Sequence, residues 1–300
     1  MKSKKIKIVF FGTPLFAVPA LQALCQKEFA VLFAVTQADK PVGRKQALTP
    51  SEVKVAAQKL GIEVIDDLEV AKLKIKELHP EVGVVVAYGK ILPQEFLNLF
   101  PKGMLNIHPS LLPKYRGPVP INAAILNGDE QTGVSIIKLD SQMDHGPILA
   151  QVNYPLLGHE NAETLRAKLS QVSAELLLKV LPDYLSGKLE SAPQDDKQAT
   201  FTKILTREDG EIDWRKSAAE IERQLRAYFP WPGCYSKEGK FKIIEAEIVE
   251  LKSNNLPGQL FTRDKNLYVN CGQGTLRIKK IQPEGKKVMA ETEYINGYLK

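Results

Sequence analysis

The chain has only three cysteines among 300 residues, Cys25, Cys234 and Cys271, odd in number and far apart. That pattern supports neither a disulfide framework nor a zinc site. Histidine is nearly as scarce, and His79, His108, His145 and His159 show no ligand spacing, so no metal is expected. No apolar run reaches the ~20 residues needed to cross a bilayer. A signal peptide is not expected either, because the apolar stretch after the basic Met1 to Lys7 is short and ends at Gly12-Thr13-Pro14. The expectation is a cytoplasmic protein without a membrane partner, monomeric by default. Two catalytic signatures are missing as well. Gly12 belongs to F-G-T-P and not to a dinucleotide-binding G-x-G-x-x-G, and Ser110 lies in no G-x-S-x-G elbow. No internal repeat is present.

What remains is an ordinary globular composition, 44% hydrophobic and 25% charged, at a length that favours two domains over one. The net charge is +6, and residues 201–300 supply most of it with 18 Lys and Arg against 14 Asp and Glu. Such an excess is compatible with a polyanionic partner without requiring one.

Apolar periodicity predicts strands at Ile6–Phe11, Val31–Thr36, Ile62–Ile65, Val82–Ala87 and Met104–His108. Helices are predicted at Phe16–Cys25, Glu52–Leu60, Leu68–Leu78, Ile91–Phe100 and Val119–Leu126. Alternation at this spacing implies an α/β fold with an open, mostly parallel, Rossmann-like sheet. Strands at Thr132–Leu139 and Ile148–Pro155 and a long helix at Ala162–Leu185 follow. Ser186 to Asp196 reads as linker. After a helix at Ala218–Tyr228, short runs at Phe241–Val249, Gly258–Thr262, Leu267–Asn270 and Thr275–Ile281 suggest a small C-terminal β-barrel, OB-like. The expected division is therefore 1–188, a linker at 189–207, and 208–300.

Ligands of open α/β sheets bind beyond the carboxyl ends of the strands. Gly12-Thr13, Tyr88-Gly89 and Asn106-Ile107-His108 fall at such ends. Asn106 and His108 are two apart and share a strand face. An amide can donate to a developing oxyanion, and an imidazole can move protons between an attacking amine and a leaving nitrogen. Asp144 is the best candidate to orient the ring, with Asp140, read as a turn or strand-end residue, as its competitor. From residue chemistry alone the reading stops at an α/β enzyme suited to group transfer.

A resemblance goes further. Asn106-Ile107-His108-Pro109-Ser110-Leu111-Leu112-Pro113-Lys114-Tyr115-Arg116-Gly117, with Leu139-Asp140 and Met143-Asp144-His145-Gly146-Pro147, resembles the formyltransferase family that uses 10-formyltetrahydrofolate. The resemblance implies that Asn106, His108 and Asp144 are catalytic and that Ser110, Leu111, Leu112 and Pro113 contact the folate. It also makes Val86, Tyr88 and Gly89, within Val84 to Gly89, a second pocket wall, and it implies no covalent intermediate. Thr36 to Lys54 resembles the loop with which tRNA-acting members reach the acceptor end, so Lys40, Arg44 and Lys45 are expected to touch tRNA. Phe11 to Pro14, Ile212 to Trp214 and Phe229 to Gly233 match the same members. The implied acceptor is initiator tRNA carrying methionine. Phosphate contacts are expected from Lys203, Arg207, Lys240, Lys242, Lys279, Lys280, Lys286 and Lys287. Members acting on nucleotide amino-sugars, or hydrolysing formyltetrahydrofolate, are the alternatives. The purine-pathway member is too short.

Overall fold

The protein is described from a computed structural model that covers residues 5–26, 29–43, 46–251 and 253–299. Contacts divide it into two compact units. One comprises Met1–Gly117, Gln131–Pro155 and Arg166–Phe201, the other Pro118–Glu130, Leu156–Leu165 and Thr202–Lys300.

The first unit begins with β1 (Ile6–Gly12) and α1 (Val18–Cys25), the latter entered through a short 3-10 turn at Leu15–Ala17. Pro19 falls in the first turn of α1, where a missing N–H costs nothing. β2 (Phe29–Val35), the hairpin β3 (Lys40–Val42) and β4 (Ala47–Thr49), α2 (Glu52–Lys59), β5 (Val64–Ile65) and α3 (Leu68–Leu78) follow. Ser51 and Asp67 cap α2 and α3 by accepting from backbone N–H groups of the first turns. Then come β6 (Val82–Val86), α4 (Gln94–Leu97), β7 (Met104–His108), α5 (Pro120–Asn127), β8 (Gln131–Lys138), β9 (Ile148–Pro155) and α6 (Ala162–Leu185).

Seven of these strands form one sheet in the order β5-β2-β1-β6-β7-β8-β9. The first five are parallel, while β8 runs antiparallel to both β7 and β9. The chain builds outward from β1 to β2 and β5, then returns to place β6 on the other side of β1. That reversal makes a switch point between β1 and β6, where Gly12 pairs with Val86, the position where such sheets open a crevice. Both faces of the central strands are buried. On one face Phe11 meets Tyr88, Phe96 and Phe100 edge-on at 5.8, 5.7 and 6.3 Å, within a cluster that also holds Val9, Phe33 and Met104.

One predicted helix is much shorter than its periodicity suggests. Ile91–Phe100 is helical only from Gln94 to Leu97, because Pro93 disfavours the α conformation at Leu92 and Pro101 does the same at Phe100. The β3–β4 hairpin was not visible as periodicity, since its strands are three residues each.

The second unit contains α5, α7 (Ala218–Ala227) and a six-stranded antiparallel sheet. Its strands are β10 (Cys234–Ser236), β11 (Phe241–Val249), β12 (Leu260–Arg263), β13 (Asn266–Asn270), β14 (Thr275–Pro283) and β15 (Met289–Ala290), followed by α8 (Glu291–Tyr298). Pairing runs β10-β11-β14-β13-β12, with β15 on β14. The hydrogen-bonded order is open, as in a partly open OB barrel. Ser217 and Glu220 form a reciprocal capping box at the start of α7, and buried Asn122 of α5 donates to the Ala227 carbonyl at 2.7 Å. Segments 118–130 and 156–165 thus pack with the C-terminal sheet although they precede the stretch read as linker. A unit assembled from discontinuous segments leaves no compositional break where those segments join it.

Candidate active site

β7 places Asn106 and His108 on one face at the C-terminal end of the parallel set, while Leu105 and Ile107 point into the core with 0% and 2% exposure. Asp144 comes from the loop between β8 and β9 and is the hub of the cluster. Its Oδ1 accepts from Asn106 Nδ2 at 3.2 Å and its Oδ2 accepts from the Gly117 N–H at 2.8 Å. The same Oδ2 faces His108 Nδ1 at 3.6 Å. On the far side of the ring, His108 Nε2 lies 2.9 Å from the Tyr115 carbonyl oxygen. A carbonyl only accepts, so Nε2 carries a hydrogen and the neutral ring holds its lone pair on Nδ1. A proton taken up at Nδ1 would therefore face the Asp144 carboxylate. Asn106 spends one N–H on Asp144, and its second has no partner among the described residues. The cluster thus combines a spare amide donor, an imidazole able to accept a proton, and a carboxylate that faces the resulting cation.

This arrangement is held by unusual backbone. Ala87, Tyr115 and Asp144 have φ of 47°, 62° and 50°, a left-handed region that costs non-glycine residues energy and recurs at functional sites. Gly146 is needed for space, since a Cβ there would fall on the Lys138 carbonyl oxygen. Asp140, the competing carboxylate, serves the loop instead. Its Oδ1 accepts from the Gln142 N–H at 2.9 Å and its Oδ2 pairs with His145 Nδ1 at 2.6 Å. That hydrogen bond, helped by the charges of Asp140 and Asp196, raises the His145 pKa above its usual value.

The residues expected at the folate wall divide into two kinds. Leu111 and Pro113 are half-buried and Gly89 is exposed, so they present surface. Ser110, Leu112, Val86 and Tyr88 are at most 3% exposed. The Ser110 hydroxyl donates to the Lys114 carbonyl at 2.6 Å. Tyr88 sends its ring into the core cluster, while its carbonyl accepts from Thr13 Oγ1 and Gln37 Nε2, both at 2.8 Å.

The loop from Thr36 to Lys54 is closed at its base by a 2.6 Å hydrogen bond between the Thr36 and Ser51 hydroxyls and by the Lys54–Asp39 ion pair at 2.8 Å. Between them lies the antiparallel β3–β4 hairpin. Lys40 is exposed and donates to Gln37 Oε1. Arg44 and Lys45 lie outside the described residues. In the second unit, Lys203, Lys279 and Lys280 already pair with Asp209, Glu247 and Glu245 at 3.0, 2.8 and 2.7 Å. Arg207, Lys240, Lys242, Lys286 and Lys287 have no ion pair among the described residues. A hydrogen bond from the Glu284 N–H to the Lys240 carbonyl at 2.9 Å joins the turns that carry Lys240 and Lys286.

Sequence reasoning missed three contributors. Two are backbone groups, the Tyr115 carbonyl and the Gly117 N–H, and side-chain chemistry cannot announce them. The third is Gln194, within the stretch read as linker, whose amide donates to the carbonyls of both Asp144 and Gly146 at 2.8 Å.

The formyl transferase family profile matches residues 4–181, and that of the formyl transferase C-terminal domain matches residues 204–299. A methionyl-tRNA formyltransferase of Caldanaerobacter subterraneus subsp. tengcongensis is 43% identical over 300 residues, covering 98% of this chain and 97% of that protein. Another from Herpetosiphon aurantiacus is 44% identical over 301 residues, covering 97% and 98%. Among solved structures, an N-formyltransferase from Helicobacter canadensis in complex with folinic acid and dTDP-3-aminofucose shares the fold. Its TM-score is 0.69 and its identity 22%, over 93% of this chain and 99% of that one. The chain belongs to the formyl transferase family and, within it, to the methionyl-tRNA formyltransferases.

Proposed function

We infer that the protein transfers the formyl group of 10-formyltetrahydrofolate to the α-amino group of methionine on initiator tRNA. The observation that carries the chemistry is the convergence of Asn106, His108 and Asp144 at one strand end. In this reading Asn106 donates its remaining N–H to the formyl oxygen as the amine attacks and the carbonyl becomes tetrahedral. His108 takes the proton that the amine releases and returns it to the departing folate nitrogen. Asp144 holds the Asn106 amide and balances the imidazolium. Direct attack forms the new C–N bond and breaks the old one without a covalent enzyme adduct.

Leu111, Pro113 and Gly89 would meet the folate on surfaces shaped by Ser110, Leu112, Val86 and Tyr88. Lys40, Arg44 and Lys45 would approach the tRNA acceptor end. The functional division proposed is a catalytic part within 1–188, a connecting stretch at 189–207, and a docking part from 208 to 300, acting as a cytoplasmic monomer. In the docking part Arg207, Lys240, Lys242, Lys286 and Lys287, with no ion pair among the described residues, are the stronger phosphate candidates, because Lys203, Lys279 and Lys280 would first have to leave a carboxylate.

The test is a three-way assay with 10-formyltetrahydrofolate and charged initiator tRNA, an amino-sugar nucleotide, or buffer alone. Formylated methionyl-tRNA is the expected product. Formylation of the sugar, or formate release without acceptor, would overturn the assignment of acceptor.

A further inference from the structure

Arg116 occupies the centre of the backbone that sets the catalytic pair. The Tyr115 carbonyl before it holds His108 Nε2, and the Gly117 N–H after it holds Asp144 Oδ2. Only 4% of Arg116 is exposed, so its guanidinium needs partners, and they are supplied from residues 194–196. Gln194 Oε1 accepts from Arg116 Nε and Nη2 at 3.1 and 2.9 Å, and Asp196 Oδ1 accepts from Nη2 at 2.7 Å. The opposite end of the Gln194 side chain donates to the Asp144 and Gly146 carbonyls. One side chain therefore ties the segment carrying the His108 acceptor to the loop carrying Asp144. A second tie runs through His145, whose Nε2 lies 3.5 Å from Asp196 Oδ2 and whose Nδ1 meets Asp140.

We propose that Gln194 is a positioning residue of the transfer reaction, coupling Arg116 to the Asp144 loop so that the carboxylate keeps its place between Asn106 and His108. The proposal rests on the catalytic reading given above. An amide suits this position better than any other group of its length, because the node needs an acceptor facing the guanidinium and a donor facing two carbonyls. A carboxylate would repel the carbonyls and an ammonium would repel the arginine. Asp144 has φ of 50°, a conformation that its own backbone does not favour, so an outside tie is the means of keeping it.

The test is a double-mutant cycle on the full-length protein with Gln194→Met and Asp144→Asn, read as kcat, KM for each substrate, and folate affinity. Gln194→Met should lower kcat about 10- to 100-fold, the scale of a misplaced catalytic group, with both KM values within about twofold. In the Asp144→Asn background the same change should have little further effect, because residues acting as a unit are not additive. Gln194→Glu, which keeps the acceptor for Arg116 and loses the donor, should behave like Gln194→Met and serves if that variant fails to fold. An unchanged kcat for a folded Gln194 variant, or full additivity with Asp144→Asn, overturns the positioning role while leaving the catalytic reading intact. Wild-type turnover in Asp144→Asn alone would overturn the catalytic reading itself, and the positioning role with it.

Discussion

The end of β7 and the surface of the C-terminal sheet are both rich in polar groups, yet they are built on opposite terms. Around His108 the members are buried or partly buried and answer to several others. Asp144 alone receives a side-chain amide and a backbone N–H, faces an imidazole, and has its own carbonyl held by Gln194. On the sheet, Lys279 and Lys280 each meet one exposed carboxylate, and Lys240, Lys286 and Lys287 meet none among the described residues. Chemistry at a bond needs groups fixed to fractions of an ångström. Attraction of a polyanion needs only charge within reach, and it tolerates mobile side chains. The first region therefore declares itself through geometry, whereas the second offers only charge to the proposed partner.

If that contrast is right, substitutions in the two regions should differ in kind as well as in size. The largest effect is expected from Asn106→Ala, which removes the proposed oxyanion donor. Turnover should fall by about 100- to 1000-fold with little change in tRNA affinity, and steady-state kinetics with both substrates would show it. A change confined to KM would break the contrast. Gly146→Ala should be next, because its Cβ would meet the Lys138 carbonyl and displace the Asp144 loop. A loss of about 1–3 kcal/mol in stability, typical of a localised clash, should accompany a fall in kcat, measurable by denaturant unfolding beside the assay.

How much of this was legible beforehand varies with the physics involved. Strands such as β7 and β9 and helices such as α3 match their predicted bounds residue for residue, because burial of both faces leaves a continuous apolar run and burial of one face a periodic one. Asn106 and His108 were legible for the same reason, since adjacency on a strand face follows from spacing. Asp144 was preferred to Asp140 from its place in a loop before a glycine turn, and in the fold Asp140 is engaged by His145. Gln194 was illegible. Its stretch has a linker's composition, and nothing in local chemistry says that a glutamine fifty residues on will hold a loop. That the α5 and 156–165 segments cluster by contacts with the C-terminal unit was illegible for a related reason, because packing between distant segments leaves no local trace.

Smaller effects should follow on the charged surface. Lys240→Ala or Lys286→Ala should weaken tRNA binding and reduce the salt dependence of the affinity by about one counterion. Lys280→Ala should do less, its charge being already matched by Glu245. Equal slopes for paired and unpaired lysines would remove the distinction.

The smallest expected effect concerns His145. Its pKa is raised by the hydrogen bond to Asp140, and that of Asp196 is lowered chiefly by its hydrogen bond to Arg116. A raised histidine stabilises the fold fully below its usual value of 6.5 and loses that contribution as pH climbs through the raised value. A lowered aspartate contributes above its usual 3.8 and fails only in stronger acid. The difference in Tm between the wild type and His145→Ala should therefore be greatest between those two values and shrink as pH climbs through the raised His145 value. A gap that widened as pH rose would contradict the pairing.

The most direct measurement is a rapid-quench single turnover with the enzyme saturated in both 10-formyltetrahydrofolate and charged initiator tRNA, comparing wild type with His108→Ala. Chemistry at His108 predicts that formyl transfer slows by at least ~100-fold while both substrates still bind. An unaltered transfer rate in the folded variant would contradict the account.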